Sequence, residues 1–334
     1  MMPRRIVMKY TRMFIAAALC TAAAVCAGVA AAQQTVLRAI QYAPPNKIED
    51  STVVFKKWMD LVNAAGKGQV RVDLIGGPEV FPVADQVNAV SKGLADIVMT
   101  FTVHRALVPE VDTTGLSDLT PEEERKIGYI DLLDKAHEKI NIKVIGRTAT
   151  SSGFYIFSKD PIRKLSDFKG LKIRSHSGYD PLFKAVGAVP VGMNISEIYA
   201  GLERGVVRAA PYPLYVYEMG LHDVTKYVLA DAFWPSHTTL TFMNRKKFDS
   251  LPPAVQKLLV AKQVELEKEM PKIVDQLKAK ERQQLEKAGM VFVNLSPEEA
   301  KEWRRLANES RFSALKPTMS PESFERIKSM IVRQ

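Results

Sequence analysis

Cysteine is almost missing from this chain of 334 residues. There are two, Cys20 and Cys26, and both fall in an N-terminal stretch that reads as a leader. Without that stretch the chain has no thiol, which excludes disulfides, thiolate nucleophiles and cysteine metal sites. Histidine is scarce as well. The five, His104, His137, His176, His222 and His237, show no metal-ligand spacing. Each reads first as a surface or capping residue, except His176 and His237, which lie near predicted strand-end loops and could approach a ligand; a metal site assembled from distant positions is the alternative. The signatures of common enzyme sites are absent: no GxGxxG after a strand, no Walker lysine loop, no HExxH and no GxSxG. The glycines of IGGPEVF (75–81) lack the fingerprint spacing. Past the leader there is no internal repeat, no low-complexity tract and no apolar run long enough to cross a membrane. An excess of one charge is missing too. Lys and Arg number 47 against 37 Asp and Glu, and four of the basic residues are in the leader. The remaining charges are interleaved, so nothing points to nucleic acid.

The leader itself is well marked. MMPRRIVMKYTR carries Arg4, Arg5, Lys9 and Arg12, and an uncharged run, MFIAAALCTAAAVCAGVA, follows. Small residues at Gly28, Ala30 and Ala32 complete a cleavable signal peptide over 1–32, with cleavage expected after Ala30 or Ala32. A retained membrane anchor is the alternative, but the apolar stretch is barely long enough to span. Leu19 and Val25 precede the cysteines where lipidation needs a small residue. The expected product is an exported, soluble chain of about 300 residues, large enough for two lobes.

Strand and helix signals alternate through the first half. TVLRAIQYAP (35–44) and QVRVDLIGG (69–77) read as strands. Between them Val54, Trp58, Leu61 and Val62 share a helical face. A helix through Val87 and Val90 leads to a short strand at 96–99. This rhythm belongs to an α/β fold with mainly parallel strands. Thr120, Pro121 and Glu123 are a capped helix start, and Ile127, Ile130, Leu133 and Ile140 give that helix one apolar face. Strand 142–146 is expected to end at Arg147, and strand LKIR at Arg174. TTLTFMNRKKF (238–248) reads as a crossover back to the first lobe. From about 252 the chain turns to long charged helix, which Pro271 should bend or interrupt. Ser296, Pro297 and Glu299 repeat the capped start.

Arg147 and Arg174 are the main candidates for chemistry. In open α/β sheets, ligands gather beyond the carboxyl ends of strands. Arginine presents a planar fork of donors suited to a carboxylate. Each arginine could hold an anionic ligand or a local Asp or Glu. Spacing alone leaves both open, as it does for His176, which sits in a strand-end loop.

The run DFKGLKIRSHSGYDPLFKAVGAVPVGMNISEIYAGLERGVV (167–207) resembles the solute-binding subunit of the tripartite ATP-independent periplasmic (TRAP) transporters. So do AVSKGLADIVM near 89–99, IGRTATSSGFYIFSKDPIRKLSDFKGLKIR and MNRKKFDSLPPAVQKLL, and the likeness covers most of the chain past the leader. It implies a periplasmic binding protein of two α/β lobes with a hinge and long C-terminal helices packed across them. The expected segments are 33–150 for the first part of lobe I, 151–237 for lobe II and 238–270 for the return to lobe I with a hinge helix. Residues 271–334 would be C-terminal helices spanning the lobes and completing lobe II. The resemblance makes Arg174 the main bidentate contact to a ligand carboxylate, assisted by Arg147. It implies no catalysis and no cofactor; calcium assists ligand binding in part of the family, but the sequence has no compact oxygen-ligand loop for it, so no metal site is assigned. The partners would be the small and large membrane subunits of the transporter, and a monomer is expected over a dimer.

One stretch departs from the family pattern. GVVRAAPYP (205–213) puts Arg208 at a usual aspartate and Tyr212 at a ligand-lining position. This weakens transfer of the common C4-dicarboxylate or sialic-acid specificity and favours an aromatic, keto or hydroxy acid. Tyr212, Tyr215 and Phe233–Trp234 could form an aromatic wall, with core or hinge packing as the alternative. Fold-level placement adds Tyr42 at the end of the first strand, Glu79, Phe81 and His104 to the cleft. Glu197 is explained by capping with Asn194. A sensor binding the same ligand is a competing function, and a periplasmic enzyme acting on an organic acid a more distant one.

Overall fold

The computed structural model describes residues 34–46, 50–150, 153–176, 178–234 and 237–332. The expected leader lies outside them. The first lobe begins with β1 (Thr35–Gln41), α1 (Asp50–Ala65), β2 (Val70–Gly76), α2 (Gln86–Ser91) and β3 (Ile97–Thr100). β2, β1 and β3 pair in parallel. α1 buries Val54, Phe55, Trp58, Met59 and Val62, spaced to make one helical face. α3 (Pro121–Lys126), α4 (Tyr129–His137) and β4 (Ile142–Thr150) follow.

Two expectations change here. The helix that starts at Thr120 does carry a reciprocal capping box with Glu123, but it is two helices. Gly128 between them adopts φ 77°, a left-handed conformation that glycine takes without steric cost. Ile127 falls at the break and is exposed. β4 also runs past its expected end. Arg147 lies inside the ladder opposite Leu240, not at a strand terminus.

The second lobe contains β5 (Phe154–Ser158), β6 (Lys172–Ser175), α5 (Asp180–Ala185), β7 (Val189–Gly192), α6 (Ile198–Glu203), β8 (Ala209–Tyr212), α7 (Leu221–Val224) and β9 (Tyr227–Trp234). β10 (His237–Asn244) then returns to the first sheet. α8 (Arg245–Ser250), α9 (Pro253–Lys287), β11 (Val291–Val293), α10 (Pro297–Leu315) and α11 (Pro321–Ile331) complete the chain. The strand orders are β2-β1-β3-β10-β4 and β11-β9-β5-β8-β6-β7. The chain therefore crosses between the sheets after β4, after β9 and, through α9, after β10.

Long helices tie the lobes together. α9 buries Leu259 and Leu266 in the first lobe's core and Leu285 in the second's. α10 buries Trp303 beside Phe168 and Phe233, and then Phe312 in the first lobe. α11 packs Phe324, Ile327 and Ile331 on that same first-lobe core. α9 is not interrupted at Pro271. A proline there forfeits one backbone bond and crowds the preceding turn. Buried Leu266 and Met270 on one side and Leu285 on the other hold the helix through it. At the start of α10, Ser296 caps as expected, but the Glu299 carboxylate accepts from the Leu165 amide at 2.7 Å instead of closing a local box.

Candidate functional site

β6 is the last but one strand of the second sheet, between β8 and the edge strand β7. Its next-to-last residue is Arg174, opposite Val191 and only 6% exposed. The Nε–H donates to the Met193 carbonyl at 3.0 Å. Among the described residues no carboxylate forms an ion pair with this guanidinium. Burial pushes the Arg174 pKa down, and Tyr179 and Tyr212 are near enough to oppose that. Arg174 opens onto a cavity of about 870 Å³ whose walls include His176, Met193, Asn194, Tyr199 and Met219. Asn194 is fixed by its capping box with Glu197, whose carboxylate accepts from the Asn194 amide at 2.8 Å.

His176 follows β6. Its ring lies 3.8 Å from the Tyr179 ring, and Nδ1 accepts from the Gly178 amide at 3.0 Å. One side is open to solvent, but crowding on the others lowers its pKa to about 4, with the positive charges of Arg174 and Arg105 adding to the effect. The imidazole is therefore neutral at pH 7. Tyr179 is buried and meets Trp234 edge-on at 4.8 Å. The Trp234 Nε1–H donates to the Gly115 carbonyl of the first lobe at 2.9 Å. Trp234 packs against core clusters of both lobes, which is the hinge-packing alternative. Tyr212 ends β8, half-buried opposite Tyr155. The Tyr215 side chain lies outside the described residues.

The other candidates are not gathered around Arg174. Arg147 is 2% exposed and ion-paired with Glu124, with Nη2 donating to Thr238 Oγ1 at 3.3 Å. Burial pushes Glu124 up and Arg147 pulls it back. Arg208 sits at the opposite end of its strand from Tyr212. Its amide donates to the Lys172 carbonyl, and its exposed guanidinium pairs with Asp160, so it adds no charge to the cavity. Glu79 is exposed, and its Oε1 closes a turn by accepting from the Gly77 amide at 2.7 Å. Phe81 is half-buried against the first lobe's core. Tyr42 is buried, bonded to the Ser51 hydroxyl and 4.2 Å from the Phe101 ring.

His104 is not at the cleft surface. It is 7% exposed, with its Nε2 2.8 Å from His137 Nε2. His137 Nδ1 donates to the Leu133 carbonyl at 2.6 Å, so its Nε2 accepts and His104 Nε2–H donates. Burial first, and His137 second, lower the His104 pKa to about 3. No sequence spacing announced this pair, which forms between a loop and a helix 33 residues apart. Tyr179 and Met193 were also missed as neighbours of Arg174. Both lie in the 167–207 run, but helix and strand periodicity accounted for them. Among the described residues no group of three or more His, Cys, Asp or Glu is placed to hold a metal, and no helix is long and apolar enough to cross a membrane.

The model of the bacterial extracellular solute-binding protein, family 7 (DctP), matches residues 41–312. The chain belongs to this family. An uncharacterized protein of Haemophilus influenzae is 29% identical over 217 residues, 61% of this chain and 65% of that one. The match thus spans slightly less than two thirds of that relative. The 2,3-diketo-L-gulonate-binding periplasmic protein YiaO of Escherichia coli is 26% identical over 229 residues, 65% of this chain and 68% of that one. A solved TRAP periplasmic solute-binding protein of Rhodobacter sphaeroides, in an apo open state, superposes with a TM-score of 0.79 at 18% identity. It covers 89% of this chain and 99% of that one. At that identity the likeness establishes the fold, two α/β lobes with long helices across them. Family membership makes the chain a solute-binding protein.

Proposed function

We propose that this chain is an exported receptor that holds the carboxylate of a small organic acid on Arg174 and delivers it to the two membrane subunits of a TRAP transporter. One observation carries the reading. Arg174 is buried at a strand end, beside a cavity, with a carbonyl for company and no acid. Arginine does not deprotonate to escape burial, so an unmatched guanidinium there is unfavourable until an anion arrives. The Nε edge is taken by Met193, which leaves the two terminal nitrogens for a two-point grip. Arg147 is committed to Glu124, so the ligand's charge rests on Arg174.

The neighbouring groups favour an aromatic, keto or hydroxy acid. Tyr212, Tyr179 and Tyr199 offer flat faces and hydroxyls around the guanidinium, and His176 is a neutral hydrogen-bonding group. The E. coli relative's keto-acid ligand is in keeping with this. The segment 1–32 supplies export. Native mass spectrometry of the protein lacking residues 1–32, with identification of any released small molecule, tests the proposal, backed by titration with a carboxylate panel. A bound organic acid absent from Arg174→Gln supports it. A neutral solute bound equally by both proteins contradicts it.

A further inference from the structure

The first lobe must also meet the ligand when the cleft closes, and none of the candidates on that lobe offers a free positive charge: Arg147 is matched, His104 is buried and Glu79 is an acid. The turn after β3 does. His104 is pinned inside the core by His137 at 2.8 Å, and its carbonyl accepts from the amides of Leu107 and Val108. The next residue, Arg105, is thereby held outward, its side chain 68% exposed on a fixed base. Its one ion-pair contact among the described residues is Asp112 at 3.4 Å, at the outer limit of a hydrogen bond. By contrast, Arg125 grips Glu267 through two bonds of 2.7 Å.

Arg105 is also on the right side of the molecule. The segment bearing Asp112 runs to Gly115, whose carbonyl takes Trp234 Nε1–H at 2.9 Å. Trp234 touches Tyr179, and Tyr179 touches His176. Consecutive contacts thus carry the base of the Arg105 turn across the hinge to the loop that follows Arg174. Arg105 and Arg174 both act on the His176 ring, with Asp180 the acid opposing them.

We propose that Arg105 is the first lobe's anion contact: it meets from across the cleft the charge held by Arg174, and closure depends on that charge. The inference rests on Arg174 being the carboxylate receptor. Two guanidinium groups on facing lobes repel as the lobes approach, and expulsion of water strengthens the repulsion. An anion between them reverses its sign. A neutral molecule of the same shape does not, so the empty or wrongly filled cleft stays open.

Part of the test needs no ligand. In the unliganded protein, spin labels on the two lobes report the closed fraction, and NMR titration reports the His176 pKa. Arg105→Gln raises both, and Arg105→Lys leaves both near wild type. If either quantity is unchanged in Arg105→Gln, or if Arg105→Lys behaves like Arg105→Gln, the proposal is overturned. Phenylglyoxylate, pyruvate and orotate then serve as probes in titration calorimetry. Arg105→Gln weakens whichever binds by about tenfold and flattens its salt dependence; unchanged affinity overturns the proposal. If no acid binds the wild type, the receptor reading fails, while the unliganded measurements still decide whether the two arginines repel across the cleft.

Discussion

Arg147 and Arg174 are buried arginines on strands of different sheets, and the fold treats them in opposite ways. Arg147 lies against Glu124, which is fully buried, and receives further support from Thr238. Arg174 is nearly as buried but is met by a backbone carbonyl and the edge of a cavity. A buried charge is stable when its partner folds with it. It is receptive when the partner is left to arrive from solution. On the proposed reading, the same residue type serves structure in one lobe and recognition in the other.

The sharpest way to break this comparison is to remove Glu124. Glu124→Gln leaves the Arg147 guanidinium buried without its counter-charge and costs about 3–5 kcal/mol of stability, read from the urea midpoint. A change below about 1 kcal/mol would show that water already serves the pair. Arg174→Gln has the converse profile. Its unfolding midpoint stays at or above wild type, because an unmatched cation is gone, while carboxylate binding falls by about 2–5 kcal/mol. Equal destabilisation by the two substitutions would erase the distinction.

The next effect separates the histidines. His104 and His137 are held neutral in the fold, with pKa values below the unfolded value of about 6.5. The unfolded chain therefore binds more protons in acid. The His104 contribution is intact above about pH 6.5 and is lost as pH falls toward about 3, with a slope near 1.4 kcal/mol per pH unit, and His137 acts in the same direction. His104→Gln flattens that slope in stability measured against pH, whereas His176→Gln, at a site open to solvent on one side, leaves most of it. Smaller again is Gly146→Ala. A Cβ there would stand 2.3 Å from Glu267 Oε1 and 2.5 Å from Gln263 Cγ, forcing α9 off β4 at a cost of about 1–3 kcal/mol by thermal unfolding. The smallest is Arg208→Ala, which breaks an exposed pair and changes stability by less than about 1 kcal/mol with ligand affinity unaltered.

These contrasts explain what could be read in the sequence. The alternation of strands and helices, the cap at Thr120 and the box at Asn194 and Glu197 are local, and local chemistry specified them. Arg174 stood out because it closes the strand LKIR. Arg147 closes a similar run in the sequence but lies within a longer strand, and its partner Glu124 comes from a helix 23 residues earlier. Arg208 followed the family resemblance to a ligand-lining segment, yet it sits four residues before Tyr212, at the far end of a strand. His104 and His137 meet only through tertiary packing. In each case the missing information was the direction of a side chain and the identity of a distant neighbour, which periodicity does not carry.

The central claim is that Arg174 waits for a carboxylate. Titration calorimetry with acids paired to their own primary amides, on wild type and Arg174→Gln, tests it most directly. The account predicts that wild type binds at least one acid and discriminates strongly against its amide, and that Arg174→Gln loses that discrimination. An acid and amide bound alike by wild type, or an acid bound as tightly by Arg174→Gln, would contradict it.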